Sequence, residues 1–219
     1  MLYTRYKLFD KFLNDTELGG LTYRGKVCSV GKRMSVVETG DYVWMVAVTA
    51  HELGHNLGAY HDGEGDARDC KAEDLFIMSP IREGPSSERP YSKNPWLFSN
   101  CSVEAFKVTL RNKACLKSPG SYDNQEEYAK YTSKQPGEIF TVDEQCELIL
   151  GRRSGVCETD REDRCLLMRC RDPITRICRE QLHGAARGTD CGTNKWCIDG
   201  LCVSKPYYPG SYSPLKREL

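Results

Sequence analysis

The sequence predicts an α/β (α+β) domain with a mixed sheet and one long helix, followed by a small disulfide-rich module. Three observations predict it. Residues 1–118 carry long apolar stretches, strand and helix signals, and four of the twelve cysteines. The other eight cysteines lie between Cys146 and Cys202, closely spaced and with little apolar periodicity. Between these parts runs PGSYDNQEEYAKYTSKQPGE, which is polar and bracketed by Pro-Gly pairs. The expected organisation is a domain over 1–118, a linker over 119–139, a cysteine-rich module over 140–203 and a flexible tail over 204–219.

The elements follow in order. GGLTYRGKVCSV has the alternation and glycine flanks of a strand. MSVVE, residues 34–38, is a short β-branched run and reads as another strand. Thr39-Gly40-Asp41 offers a helix start, and DYVWMVAVTAHELGHNLG reads as one helix ended by Gly58. Its first half is apolar on most sides, so a buried helix is expected. SVEAFKVTLRNK spaces Val103, Phe106 and Leu110 helically, with Ser102 as the expected N-cap.

Bulk composition excludes several classes. Lys+Arg and Asp+Glu are 31 each, so the formal charge is zero. A nucleic-acid or anionic-membrane partner usually needs a basic excess. No apolar run reaches the length of a membrane span. Twelve cysteines without repeated CxxC pairs point to a disulfide framework and a secreted, extracellular setting. Two sequons, at Asn14 and Asn100, are candidate glycosylation sites. The start, MLYTRYKLFDKFLND, lacks the apolar stretch of a signal peptide. The sequence carries no signal for oligomeric state.

Three of the four histidines fall within HELGHNLGAYHD, residues 51–62. His51 and His55 are one helical turn apart, so both imidazoles can reach one ion. Glu52 is placed to meet a water on the metal rather than the metal. His61 joins them only if the helix stops and the chain returns, and Gly58 permits that turn because it has no Cβ. Three nitrogens around one point, with a fourth position open to water, suit a single catalytic Zn²⁺.

HExxHxxGxxH resembles the zinc signature of the metzincin metalloproteases, and Asp62 after the third His is similar to the reprolysin (adamalysin) branch. The resemblance implies a metzincin catalytic domain, of which this sequence holds a part. It implies that Met78, in FIMSP, forms a methionine turn beneath the metal. It implies that Gly20, Leu21, Thr22, Tyr23 and Arg24 form an edge strand that pairs with an extended substrate. PWLFSNCS and KACLKSP resemble the segments around the family's closing helix, which implies Cys70–Cys101 and Cys28–Cys115 bridges. The family has more chain before the zinc helix. The sequence is therefore expected to begin inside the domain, keeping the edge strand and one further strand.

GTDCGTNKWCIDGLCV resembles the disintegrin-like, cysteine-rich module of the ADAMTS subgroup. That implies the bridges Cys146–Cys170, Cys157–Cys178, Cys165–Cys197 and Cys191–Cys202, and either a substrate exosite or a rigid spacer. The whole arrangement is similar to ADAMTS enzymes and to the shorter secreted proteases of tick saliva.

The implied activity is zinc-dependent endoproteolysis of extracellular protein substrates, matrix or plasma proteins, with Glu52 activating the zinc-bound water. The alternative is a non-catalytic binding protein acting through the cysteine-rich module. Ca²⁺ stays open, because Ser118 stands where the family carries an acidic residue. His183 reads as a loop residue, and the terminal KREL as a charged tail.

Overall fold

The computed structural model describes residues 1–10, 15–39, 42–81, 94–117, 133–157, 163–181 and 184–205. Five short strands precede the first helix: β1 (Leu2–Thr4), β2 (Leu8–Asp10), β3 (Asp15–Leu18), β4 (Gly20–Thr22) and β5 (Ser35–Glu38). β5 is central in a mixed three-stranded sheet, ordered β1-β5-β4. β1 runs parallel to it and β4 antiparallel, with Leu21 opposite Val36. β2 and β3 form a separate antiparallel hairpin.

The expectation of an edge strand plus one further strand is thus too low. Leu2–Thr4 uses the second side of β5. A three-residue strand without turn residues around it gives little alternation to read. The edge strand is also shorter than expected, since Tyr23 and Arg24 already lie beyond β4.

β5 alternates inward and outward, with Ser35 and Val37 buried and Val36 and Glu38 half-buried. Helix α1 (Tyr42–Asn56) packs on β4 and β5. It is not buried all round: Val48 faces inward, whereas Val46 and Leu53 are exposed. Among the described residues the sheet covers one side of the helix, and apolar composition alone does not say how many sides find a partner. Helix α2 (Asn100–Leu110) is capped by Ser99, not Ser102. The Ser102 N–H donates to Ser99 Oγ at 3.2 Å, so Ser102 is already inside the first turn.

The cysteine-rich part opens with a single helical turn at Pro136–Ile139, whose Gly137 N–H donates to the Arg187 carbonyl. Helix α3 (Val142–Leu150) follows under a capping box. Glu144 N–H donates to Thr141 Oγ1 at 3.2 Å, and Thr141 N–H returns to Glu144 Oε2 at 2.8 Å. The Thr141 N–H, foremost, and the Thr141 hydroxyl, which donates to Oε2 at 2.9 Å, hold the Glu144 pKa below its usual value.

Two small antiparallel sheets complete the module. One is β6 (Gly155–Val156), β7 (Arg169–Arg171) and β8 (Cys178–Glu180). The other is β9 (Asp190–Gly192), β10 (Lys195–Ile198) and β11 (Leu201–Ser204). Their shared core is Met168 and Ala185 among the buried sulfurs of Cys146, Cys165, Cys170, Cys191 and Cys197.

With so little hydrocarbon inside, cystines and buried polar bonds hold the module together. Gln145 is buried on the inner face of α3 and fully used. Its Nε2 donates to the Phe140 carbonyl at 3.0 Å and to Thr189 Oγ1 at 2.9 Å. Its Oε1 accepts the Ala186 N–H at 2.9 Å. Thr141→Ala removes the cap of α3 and is expected to lower stability by about 1 kcal/mol. Urea unfolding followed by far-UV circular dichroism measures it.

Candidate metal centre

The last turn of α1 decides where the histidines point. Gly58 N–H donates to the His55 carbonyl at 2.9 Å, and Ala59 N–H donates to the Gly54 carbonyl at 3.0 Å. These are the two bonds of a Schellman ending, with Gly58 at φ 116°. A Cβ on Gly58 would also strike Thr109 of α2, so the site excludes a side chain on steric grounds too. The chain then doubles back and brings His61 to the two helical histidines.

His61 Nε2 lies 3.1 Å from His51 Nε2 and 3.1 Å from His55 Nε2. Each Nδ1 faces an acceptor. The Ile77 carbonyl is 2.7 Å from His51 Nδ1, and the Ala59 carbonyl is 2.9 Å from His55 Nδ1. Glu64 Oε2 is 3.3 Å from His61 Nδ1. Those partners assign the hydrogen to Nδ1 and the lone pair to Nε2 in each ring. Three lone pairs facing one another repel unless a cation stands between them. Zinc–nitrogen bonds at tetrahedral angles put ligand nitrogens about 3.3 Å apart, so this donor set fits a zinc ion. Burial, foremost, holds the His55 pKa below its ordinary value, which favours the neutral form that a metal needs.

Glu52 is 6% exposed. Its carboxyl end lies against Gly20 of β4, where an added Cβ would fall 2.7 Å from Oε1. Burial pushes its pKa up to about 7. The edge strand is therefore brought beside the group expected to move protons. Asn56 reinforces this placement, with Nδ2 donating to Thr22 Oγ1 at 3.2 Å and to the Tyr23 carbonyl at 3.1 Å. Arg24 lies over the Tyr60 ring, 3.5 Å from its centroid. It also donates to the Gly58 carbonyl at 3.3 Å, clasping the end of the edge strand to the ligand loop.

Met78 is fully buried and lies against α1. Its sulfur reaches the helix because residue 54 is glycine: a Cβ there would collide with Met78 Sδ and come within 2.9 Å of the Phe98 ring. Asp62, also fully buried, links the ligand loop to both neighbours. Its N–H donates to the Met78 carbonyl at 2.9 Å, and its Oδ1 accepts Ser99 Oγ–H at 2.6 Å. Burial raises the Asp62 pKa, against the opposing effect of the Ser99 bond.

Gly54, Asn56, Tyr60 and Ser99 escape the sequence reading. Only Gly54 carries a local signal, a helix-disfavouring residue inside a helical pattern. The others act through partners far away in sequence.

Six bridges are present: Cys28–Cys115, Cys70–Cys101, Cys146–Cys170, Cys157–Cys178, Cys165–Cys197 and Cys191–Cys202. The sulfurs of Cys165, Cys191 and Cys202 cluster, but all three are oxidised into bridges and are not metal ligands. Asn100 is exposed at the start of α2. Asn14, Ser118 and His183 lie outside the described residues, as do 119–132 and the tail beyond Lys205.

Comparison with known proteins adds two family matches. Residues 6–119 match the profile described as "Reprolysin (M12B) family zinc metalloprotease". Residues 136–203 match "ADAMTS cysteine-rich domain 2". The chain is 32% identical over 212 residues to "A disintegrin and metalloproteinase with thrombospondin motifs 7" of Homo sapiens, covering 95% of this chain and 12% of that protein. It is 32% identical over 194 residues to "A disintegrin and metalloproteinase with thrombospondin motifs 19" of Homo sapiens, covering 87% and 15%. It is 32% identical over 203 residues to "A disintegrin and metalloproteinase with thrombospondin motifs like" of Bombyx mori, covering 85% and 27%. The chain thus spans a minor part of the length of the curated relatives it matches.

Gly54→Ala is expected to destabilise the fold by about 1–3 kcal/mol through overpacking against Met78. Truncation in Gly54→Ala/Met78→Ala removes that clash, so the two changes should be strongly non-additive in urea unfolding.

Proposed function

Since the chain belongs to the reprolysin (M12B) family of zinc metalloproteases, we propose that it is a secreted zinc endopeptidase cutting extracellular proteins, of the matrix or plasma. His51, His55 and His61 hold the ion through Nε2. The observation that carries this reading is the convergence of three Nε2 atoms, His61 Nε2 lying 3.1 Å from that of His51 and of His55, with an acceptor facing each Nδ1. The zinc, when bound, polarises a carbonyl and acidifies its water.

The remaining chemistry belongs to the chain. Glu52 would serve as the proton carrier there, its carboxylate accepting a proton from the attacking water and giving it to the leaving amine. Its burial against Gly20 keeps bulk water from competing for the carboxylate. A raised pKa suits a group that must hold a proton and release it within one turnover. Among the described residues β4 pairs on one side only, with β5, and an extended peptide adds as a strand on the other. Twelve cysteines in six bridges support an oxidising, extracellular setting. No described helix is long and apolar enough to cross a membrane.

A second reading, a non-catalytic binder, draws on the module's surface. Ile174 is 89% exposed and Ile177 62% exposed near the β7–β8 turn. Asp172 Oδ1 shapes that turn by accepting the N–H groups of Ile174 and Thr175.

Zinc stoichiometry and chelator-sensitive cleavage of gelatin or fibrinogen separate the two. One zinc per chain with cleavage supports the protease; one zinc without cleavage favours the binder. Glu52→Gln should retain zinc while cleavage falls by at least about 10²-fold. Undiminished cleavage in that variant would remove Glu52 from the mechanism. His61→Ala should lose the zinc itself, measured by elemental analysis.

A further inference from the structure

The cysteine-rich module touches the metalloprotease part beside the metal centre. Asp199 and Gly200, at φ 48° and 79°, make the two-residue turn between β10 and β11. Gly200 lies on the ring of Trp96: a Cβ there would fall 2.7 Å from Cζ3 and 2.9 Å from Cη2. α3 of the module also approaches α1, the helix that carries His51 and His55.

Trp96 begins a short path to a metal ligand. The next residue, Leu97, accepts the Ile77 N–H on its carbonyl at 2.9 Å. The Ile77 carbonyl accepts His51 Nδ1–H at 2.7 Å. Asn94 ties the same segment down, donating from Nδ2 to the Asp74 carbonyl at 2.9 Å. The Phe98 ring and Met78 then fill the space below Gly54 on α1. One backbone hydrogen bond and one imidazole–carbonyl hydrogen bond thus link Leu97, the residue after Trp96, to His51.

We propose that the β10–β11 turn is a brace: Gly200, packed on Trp96, positions His51 through the Leu97–Ile77 hydrogen bonds. The proposal rests on the zinc reading above and extends it. The module then serves the metal centre directly, and not only as a spacer or a substrate-binding face. Gly200 and Trp96 are positioning residues; neither touches the metal. Partners behind a metal-ligating histidine typically matter about 10–100-fold for affinity or activity.

The test uses the full chain loaded with zinc, with Gly200→Asn, Trp96→Ala and the double variant. Asparagine accepts the left-handed backbone, so the turn survives while its side chain meets the ring. Gly200→Asn should speed zinc loss to a chelator by roughly 10-fold, lower kcat more than KM, and alter the visible absorption of the cobalt-substituted protein. Trp96→Ala leaves the module's turn intact and should speed zinc loss by a smaller factor. The double variant should match Trp96→Ala alone, because the collision disappears with the ring.

Wild-type zinc loss and cobalt absorption in Gly200→Asn would overturn the brace. So would effects that simply multiply in the double variant. A wild-type chain that takes up no zinc would refute the metal reading, and the brace with it. Predicted changes in zinc loss without any cleavage would uphold the brace and sink the protease reading alone.

Discussion

Every distance in the metal centre depends on how α1 ends. A helix can present His51 and His55 to one point, but it carries the chain away from them by 1.5 Å per residue. The Schellman bonds to the His55 and Gly54 carbonyls stop that advance within two residues and reverse the direction. His61 then arrives at 3.1 Å from both partners. The same His55 carbonyl also accepts the Gly25 N–H, so one backbone oxygen secures both the reversal and the end of the edge strand. A site built around one ion tolerates little slack, since displacements near 1 Å can remove most of a reaction's rate.

Around that reversal the protein uses polar bonds where a larger domain would use hydrocarbon. Asp62, buried and ionisable, joins the ligand loop to Met78 and to the N-cap of α2. Ser99 serves twice, accepting the Ser102 N–H and donating to Asp62. The module repeats the strategy with Gln145 and with sulfur. Bridges limit the unfolded chain and compensate for a thin core. Such scaffolds are stiff where they are cross-linked, which is what a structure needs if it is to hold a neighbour in place.

The chemistry was legible in the sequence because it is local. His51, Glu52, His55, Gly58 and His61 lie within eleven residues, and helical periodicity plus one left-handed turn is enough to bring them to a point. α1, α2 and β5 were legible for the same reason. What failed were inferences that need a partner. The N-cap of α2 falls at Ser99 rather than Ser102, and both serines look alike until the backbone direction is known. Val46 and Leu53 look buried by composition yet remain exposed, because burial depends on what packs opposite. β1 went unseen because its pairing partner, β5, is more than thirty residues away.

The sequence by itself determined the family, the division into an α/β part and a cysteine-rich part, and the expectation that His51, His55 and His61 hold a metal beside Glu52. Tertiary structure alone decided the rest: Met78 under Gly54, Glu52 against Gly20, Arg24 over Tyr60, and Gly200 on Trp96. Each is a contact across a long stretch of chain, whose cost and benefit depend on atoms that no local pattern encodes.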